Sequence, residues 1–132
     1  MDVKELEKFF DYKPFLDQHP EVILDKIIHM AKEYLPDDQI PWISKAYEYA
    51  LEKHQWQTRL SGEPYIVHPL RATEFLMEIK PDIETIQTCL LHDVIEDCNV
   101  SEDDIEKEFG AEVASLCEWM VKVSKIKYKW ED

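Results

Sequence analysis

The feature that most restricts the fold is the segment at residues 89–97, which reads Cys-Leu-Leu-His-Asp-Val-Ile-Glu-Asp. Its apolar residues point around most of a helix, so we expect a buried helix whose polar groups lie inside the molecule. A buried imidazole and a buried carboxylate need partners, because removing either from water without one is costly. A chain with this segment must therefore pack other helices around it and satisfy His92 and Asp93 internally.

A divalent cation would satisfy both side chains at once, and a neutral imidazole beside a carboxylate suits Mn, Fe or Zn better than Mg or Ca. Glu96 lies one helical turn beyond His92, and Asp97 lies one turn beyond Asp93, so the four side chains follow a common strip. The first pair can hold the metal while the second pair orients a water molecule. A bound cation lowers the pKa of such a water to about 7 in the best cases. The segment therefore predicts a metal-dependent phosphohydrolase centre.

Composition favours one almost wholly helical domain. The chain has 132 residues, of which 45% are hydrophobic and only 2 are glycine, so it is long enough for a core and is not a disordered polymer. We expect an all-α fold without a sheet. The formal charge of -14 argues against a nucleic-acid partner, because a nucleic-acid backbone is negatively charged and binds to basic surfaces. A small phosphorylated substrate is compatible with this charge only if cations line its pocket.

Cysteine usage and hydropathy indicate the compartment. Cys89, Cys98 and Cys117 are odd in number and lack CxxC spacing, which argues against a zinc knuckle or a disulfide framework. The amino terminus is charged from its second residue and has no apolar run of signal-peptide length. No segment approaches the roughly 20 apolar residues of a membrane span. We therefore expect a soluble, cytoplasmic protein without a membrane partner, and no sequence feature fixes its oligomeric state.

Apolar periodicity predicts packing helices at residues 3–10 and 21–35 and a longer helix from about residue 41. The pattern breaks at residues 55–65, where Gly62 and Pro64 predict a loop. Pro69 fits the first position of a helix and pushes His68 into an extended conformation, so we expect His68 at a helix entrance. We divide the chain into amino-terminal packing helices, residues 1–40, and a hydrolase domain, residues 41–132.

Capping residues predict the remaining boundaries. The helix after His68 is expected to run to about residue 79, where Lys80 and Pro81 break it. Asp82 can cap the next helix, which we expect to span residue 83 to about residue 97. Ser101 and Asp104 resemble a capping box, Gly110 is a stop signal, and a last helix is expected from residue 111 to about residue 123.

Two motifs together carry a family resemblance. The run RLSGEPYIVHP at residues 59–69, followed by LLHDVIED at residues 90–97, resembles the amino-terminal hydrolase domain of the RelA/SpoT (Rel) stringent-response enzymes. The pattern DxIxxEFG at residues 103–110 and VKVSK at residues 121–125 extend this resemblance, which covers about residues 40–127. A lone His-Asp doublet recurs across the HD superfamily, whereas SGEPY at this distance from HDxxED is characteristic of one family.

The resemblance implies an HD-type helical bundle that removes the 3′-pyrophosphate of ppGpp and pppGpp in the bacterial stringent response. The products are GDP or GTP and pyrophosphate, and the cofactor is one Mn²⁺ ion. The resemblance also assigns the site: metal ligands His68, His92 and Asp93; water-positioning carboxylates Glu96 and Asp97; Arg59 against the guanine; Ser61 bordering the nucleotide.

The chain departs from the family pattern at two places. Leu60 stands where a lysine or arginine often follows the arginine, which removes one cation beside an anionic substrate. The family's last metal ligand is an aspartate, and a helix with an Asp-Arg pair follows the region that matches residues 121–125. This chain has no Asp-Arg pair up to Asp132. We therefore expect an HD bundle that is incomplete at its carboxyl side, with three of the family's metal ligands and without synthetase or regulatory domains.

Each assigned side chain also has a structural interpretation. These are a metal-free hydrogen-bonded pair for His92 and Asp93, a cap or core residue for His68, a solvated helix end for Glu96 and Asp97, and a surface charge for Arg59. Two other functions remain open. One is a non-catalytic helical fragment that makes structural or regulatory contacts in a longer Rel protein, and the other is an HD phosphohydrolase that acts on another nucleotide.

Overall fold

A computed structural model of the chain describes residues 19–54 and 66–131, with side chains described as far as residue 123. Within these ranges the secondary structure is helical and contains no strand, so the predicted all-α class is confirmed. The helices, in chain order, are α1 (Pro20–Ala31), α2 (Ile40–His54), α3 (Val67–Leu76) with a following 3₁₀ turn (Met77–Ile79), α4 (Ile83–Asp97), α5 (Glu102–Phe109) and α6 (Ala111–Glu131). The predicted helix at residues 3–10 and the predicted loop at residues 55–65 lie outside the described residues.

Helix α4 is the central element of the bundle. It packs against α2, α3 and α6, while α1 covers α2 and α3, and α5 packs on α6. Ile86, Leu90, Leu91 and Val94 of α4 are completely buried. Burial of each such side chain contributes about 1.5–3 kcal/mol of transfer free energy. The prediction that this segment forms a buried helix is confirmed for Leu90, Leu91 and Val94, whereas Ile95 is only partly buried.

Asp82 starts α4 as predicted. Its backbone is extended, and its Oδ1 accepts a hydrogen bond of 2.8 Å from the Thr85 amide. This bond satisfies one of the amides that a helix leaves without a partner at its first turn. At the other end, the Cys98 amide donates to the Val94 carbonyl at 3.0 Å, and Asn99 adopts a positive φ of 56°. Asparagine tolerates this left-handed conformation better than most residues, so the helix ends there.

The predicted capping box of α5 is also present. The Asp104 amide donates to Ser101 Oγ, and the Ser101 amide donates to Asp104 Oδ2, both at 3.2 Å. Hydrogen bonds from the Ser101 amide and the Ser101 hydroxyl to the Asp104 carboxyl lower the pKa of that carboxyl, since they favour its ionised form. Gly110 ends α5 with a φ of 95°, a conformation that glycine adopts without a steric penalty. Helix α6 runs from Ala111 to Glu131, eight residues beyond the predicted end at about residue 123.

Two further predicted boundaries were wrong. Helix α1 ends at Ala31 rather than at residue 35. The chain forms turns after Ala31, in which the Tyr34 amide donates a hydrogen bond to the Ala31 carbonyl. This turn brings the Tyr34 hydroxyl to the Pro81 carbonyl, to which it donates at 2.7 Å. Helix α3 begins at Val67, so His68 is helical rather than extended. Pro69 still fits, because none of the first four amides of a helix needs an acceptor within that helix.

None of the helices in the described ranges is both long enough and apolar enough to cross a lipid bilayer.

Candidate functional site

His92 and Asp93 lie side by side on α4, and their side chains are 20% and 14% exposed. His92 Nε2 is 3.2 Å from Asp93 Oδ1, and His92 Nδ1 is 2.8 Å from the Cys89 carbonyl oxygen. A carbonyl oxygen only accepts hydrogen bonds, so Nδ1 is the nitrogen that carries the proton. In the neutral ring, Nε2 then presents a lone pair to a carboxylate oxygen. Two acceptors at this distance require a proton or a cation between them.

This arrangement matches the chemistry of a metal ligand. Histidine ligands usually donate their other ring nitrogen to a carbonyl or a carboxylate, which fixes the tautomer and the orientation of the ring. The Cys89 carbonyl has that role here. The adjacent nitrogen and oxygen donors suit Mn, Fe or Zn. The donor set of His92 and Asp93 therefore fits a divalent transition-metal ion.

His68 is the second residue of α3 and has an exposed side chain. In the part of the chain that the structure describes, no group of three or more His, Cys, Asp or Glu side chains is arranged to hold a metal ion. The structure thus brings His92 and Asp93 together as two neighbouring donors. A coordinating role for His68 stays a prediction.

The helices that carry His68 and His92 are joined near both residues. The Cys89 thiol, one turn before His92, forms a hydrogen bond with the side chain of Thr73 on α3. Thr73 is fully buried, and its hydroxyl donates to the Pro69 carbonyl at 2.7 Å. Burial raises the pKa of the Cys89 thiol, and Asp93 raises it further, so this thiol is neutral and serves packing. This contact fixes the position of α3 beside the segment that carries His92.

Glu96 and Asp97 lie in the last turn of α4, and both are exposed. The expectation that all polar groups of this segment are buried is therefore wrong for these two residues. Val94 is the last completely buried residue of the helix, and Glu96 and Asp97 after it face solvent. Carboxylates near a helix carboxyl end oppose the helix dipole by about 0.3–1 kcal/mol each. Their spacing nevertheless places Glu96 one turn from His92, and Asp97 one turn from Asp93.

The two residues predicted to contact the nucleotide, Arg59 and Ser61, lie outside the described residues.

One side-chain contact at this end of α4 was not predicted from the sequence. Cys98 Sγ, immediately after Asp97, lies 3.2 Å from Nδ1 of His54. His54 is buried at the end of α2 and received no role from the sequence. One signal was present, because His54 continues the buried stripe of Ile43, Tyr47 and Ala50 at helical spacing. A polar residue on such a stripe needs an internal partner.

The HD domain family model matches residues 46–131, a span that contains the predicted metal ligands and water-positioning residues. The bifunctional (p)ppGpp synthase/hydrolase SpoT of Escherichia coli strain K12 is 43% identical over 107 residues, which is 81% of this chain and 15% of that protein.

Two further relatives are similar over the same part of the chain. The guanosine-3′,5′-bis(diphosphate) 3′-pyrophosphohydrolase of Aquifex aeolicus is 49% identical over 111 residues, 84% of this chain and 16% of that protein. The GTP pyrophosphokinase of Myxococcus xanthus is 42% identical over 116 residues, 88% of this chain and 14% of that protein. The chain thus spans only 14–16% of the length of these three relatives.

Because the family model covers residues 46–131, this chain belongs to the HD domain family, and its relatives within that family are (p)ppGpp 3′-pyrophosphohydrolases and synthases of the RelA/SpoT type.

Proposed function

We propose that this chain hydrolyses the 3′-pyrophosphate of ppGpp and pppGpp to GDP or GTP and pyrophosphate, with Mn²⁺, in the bacterial stringent response. The observation that carries the proposal is the 3.2 Å approach of His92 Nε2 to Asp93 Oδ1, with Nδ1 held by the Cys89 carbonyl. Relatives named as (p)ppGpp hydrolases support the choice of substrate. The two facing acceptors, His92 Nε2 and Asp93 Oδ1, form a donor set that a divalent cation can occupy.

His92 and Asp93 would hold the metal, with His68 as the third proposed ligand. When bound, a divalent cation supplies a Lewis-acid charge that stabilises negative charge on a phosphoryl oxygen. The carbonyl of Cys89 keeps His92 in the tautomer whose Nε2 is a donor to metal. In this proposal Asp93 also offsets one of the two positive charges of the ion, and the remaining positive charge would attract the anionic pyrophosphate.

Glu96 and Asp97 are the proposed positioning groups for the attacking water. A carboxylate accepts the proton that water loses as its oxygen bonds to the phosphorus attached to the ribose 3′ oxygen. The bond from that phosphorus to the 3′ oxygen breaks, and the 3′ oxygen gains a proton. The Glu96 and Asp97 side chains are both exposed at the end of α4, on the side from which a nucleotide would approach. Arg59 and Ser61 are the proposed contacts to the guanine and the nucleotide edge.

The remaining parts of the proposal concern the surroundings of the site. We assign residues 41–132 to the hydrolase domain and residues 1–40 to packing helices, of which α1 covers α2 and α3. The formal charge of -14 opposes the approach of an anionic nucleotide, so local cations such as Arg59 are required. We place the reaction in the cytoplasm, where thiols such as those of this chain stay reduced.

A second candidate function is a structural or regulatory contact within a longer Rel protein. Helix α6 presents exposed apolar side chains, with Trp119 63%, Met120 41% and Val123 42% accessible. Neighbouring exposed apolar residues of this size are typical of a surface that another element covers.

The decisive experiment measures pyrophosphate release from ppGpp by the wild-type chain, with and without Mn²⁺. His92→Ala should lower the Mn²⁺ affinity and the rate by more than about a hundredfold, because even a partner of a metal ligand is worth 10- to 100-fold. His29→Ala is the matched control, since His29 is exposed on α1, outside the proposed site. Its activity should equal that of the wild type.

A version extended downstream separates the candidate functions. Turnover by the chain itself supports the proposal, and turnover by the extended version alone assigns the present residues to an incomplete catalytic domain. If neither version releases pyrophosphate from ppGpp, the proposed hydrolysis is contradicted, and the structural or regulatory contact is the remaining candidate function. Competition by other nucleotides against ppGpp identifies an HD phosphohydrolase of different specificity.

A further inference from the structure

The contact between His54 and Cys98 joins two helix ends that are far apart in sequence. Cys98 Sγ lies 3.2 Å from His54 Nδ1 and 3.9 Å from His54 Nε2, across a separation of 44 residues. His54 is 2% exposed, and Cys98 is partly buried. The shorter distance identifies Nδ1 as the nitrogen that shares a hydrogen with the thiol. This is a directed side-chain contact in a largely dry environment.

Both helix ends are adjacent to residues of the proposed reaction. His54 is the last residue of α2 and immediately precedes residues 55–65, which include Arg59 and Ser61. Cys98 caps α4 directly after Glu96 and Asp97, and its amide donates to the Val94 carbonyl at 3.0 Å. Movement of Cys98 would therefore move the turn that carries both carboxylates.

The other two cysteines show that a thiol at position 98 has a distinct role. Cys117 is fully buried on α6, and burial raises its pKa to about 12 although it forms a hydrogen bond with Thr88 of α4. The thiol of Cys89 bonds to Thr73 in the middle of the bundle. These two thiols join helices whose apolar side chains already fix their positions. At the end of α4, Glu96 and Asp97 are exposed and Ile95 is only partly buried, so this end is packed less tightly than the middle of the helix and depends more on a directed contact.

We propose that His54 is a positioning residue for the hydrolysis proposed above: through Cys98 it fixes the last turn of α4, with Glu96 and Asp97, relative to the end of α2. The inference rests on that proposed function. His54 touches neither the substrate nor the metal in this role. A misplacement of about 1 Å of groups that orient a reactant can cost up to 100-fold in rate, so one hydrogen bond at this position can affect the chemical step.

The test uses two pairs of variants that differ in one hydrogen-bonding group. Cys98→Val is an apolar replacement, larger than cysteine by about one methyl group, that cannot form the bond, whereas Cys98→Ser retains a donor and acceptor. His54→Gln places its amide near the position of Nε2, whereas His54→Asn places its amide near the position of Nδ1. We expect Cys98→Val and His54→Gln to lower kcat about tenfold, with KM and Mn²⁺ affinity within about twofold of the wild type. Cys98→Ser and His54→Asn should retain most of kcat.

Cys117→Val is the matched control, because it removes a thiol contact to the same helix at Thr88, more than two turns from Cys98. It should lower the unfolding temperature without changing kcat. If Cys98→Val lowers only the unfolding temperature, as the control does, the positioning role is wrong. The positioning role is also wrong if Cys98→Ser lowers kcat as much as Cys98→Val does, and if His54→Asn lowers kcat as much as His54→Gln does.

Amide hydrogen exchange tests the link independently of turnover. Cys98→Val should speed exchange at residues 51–54 as well as at residues 95–98, and His54→Gln should do the same. Exchange that changes only at the substituted end would overturn the inference. If the wild-type chain releases no pyrophosphate, the proposed function fails by that measurement, and reciprocal exchange alone then decides whether the two helix ends are coupled.

Discussion

The two ends of α4 differ in how well their side chains suit a helix. At the amino end, Asp82 accepts a hydrogen bond from the first turn, and Ile83 and Ile86 are buried. At the carboxyl end, Glu96 and Asp97 are exposed where the helix dipole disfavours negative charge, and the last turn contains no basic residue. Helix α2, by contrast, ends with Lys53 and His54.

This difference separates residues that stabilise the fold from residues that are unfavourable for it. Side chains that oppose local helix preferences are expected at functional sites. The amino end of α4 satisfies every local preference. The carboxyl end does not, and it holds the side chains to which we assign the chemistry.

The largest expected effect comes from the carboxyl end. Glu96→Gln and Asp97→Asn should each lower kcat by about 10²- to 10⁴-fold, because an amide cannot accept the proton of the attacking water. The free energy of unfolding should stay unchanged or rise by about 0.3–1 kcal/mol, because a charge that opposes the helix dipole is removed. Steady-state kinetics and urea unfolding of the same variants test both parts. A loss of stability together with kcat would remove the distinction between the two ends.

A comparable effect is expected for the reactivity of Cys117, whose Thr88 contact lies in the amino-terminal half of α4. Its pKa of about 12, against an ordinary value of 9.0, leaves roughly a thousandfold less thiolate at pH 8 in the folded protein than in the unfolded chain. Alkylation by iodoacetamide, followed by mass spectrometry, should be slower by at least about that factor until denaturant is added. Alkylation of Cys117 in the native protein at the rate of a free thiol would show that the core opens readily.

At the amino end, Asp82→Ala should lower the free energy of unfolding by about 1 kcal/mol, since the Thr85 amide loses its acceptor. The value of kcat should not change, because Asp82 is about ten residues, nearly three helical turns, before His92. Asp82→Asn is the control, as its side-chain oxygen retains the cap. A large drop in kcat for Asp82→Ala with normal stability would contradict the proposed division of α4.

The smallest effect concerns the capping box of α5, which resembles the amino end of α4 in construction. The pKa of Asp104 is lowered from its ordinary value of 3.8 by hydrogen bonds from Ser101. A carboxyl with a depressed folded pKa stabilises the fold above its unfolded pKa, and this contribution is lost as pH falls through the lower folded value. Ser101→Ala should therefore reduce the loss of stability on acidification below about pH 4. Unfolding curves at several pH values, with Ser115→Ala as a surface control, measure the change.

The sequence was most informative where the decisive contact is local. The caps at Asp82, at Ser101 with Asp104, and at Gly110 were predicted correctly, because each joins groups only a few residues apart. The end of α1 was predicted poorly, because the contact of Tyr34 with the Pro81 carbonyl crosses 47 residues. The start of α3 was misplaced because proline is accepted throughout the first turn of a helix rather than only at its first position.

In the candidate site, too, features that depend on local spacing were predicted, and features that depend on tertiary packing were not. Spacing within one helix correctly placed His92 and Asp93 next to each other, one turn before Glu96 and Asp97. The buried position expected for both carboxylates was wrong, since burial depends on which helices cover a given turn. The roles of His68, Arg59 and Ser61 remain predictions based on resemblance.

By itself the sequence determined an all-α chain, most of its helix boundaries and the HD segment on α4, because hydrogen bonds and apolar periodicity act within a few residues. Only the tertiary structure decided that His92 and Asp93 are partly covered, that Glu96 and Asp97 face solvent, and that His54 contacts Cys98. The physical reason is that exposure and long-range hydrogen bonds depend on the packing of helices against one another, and this packing is a property of the whole chain.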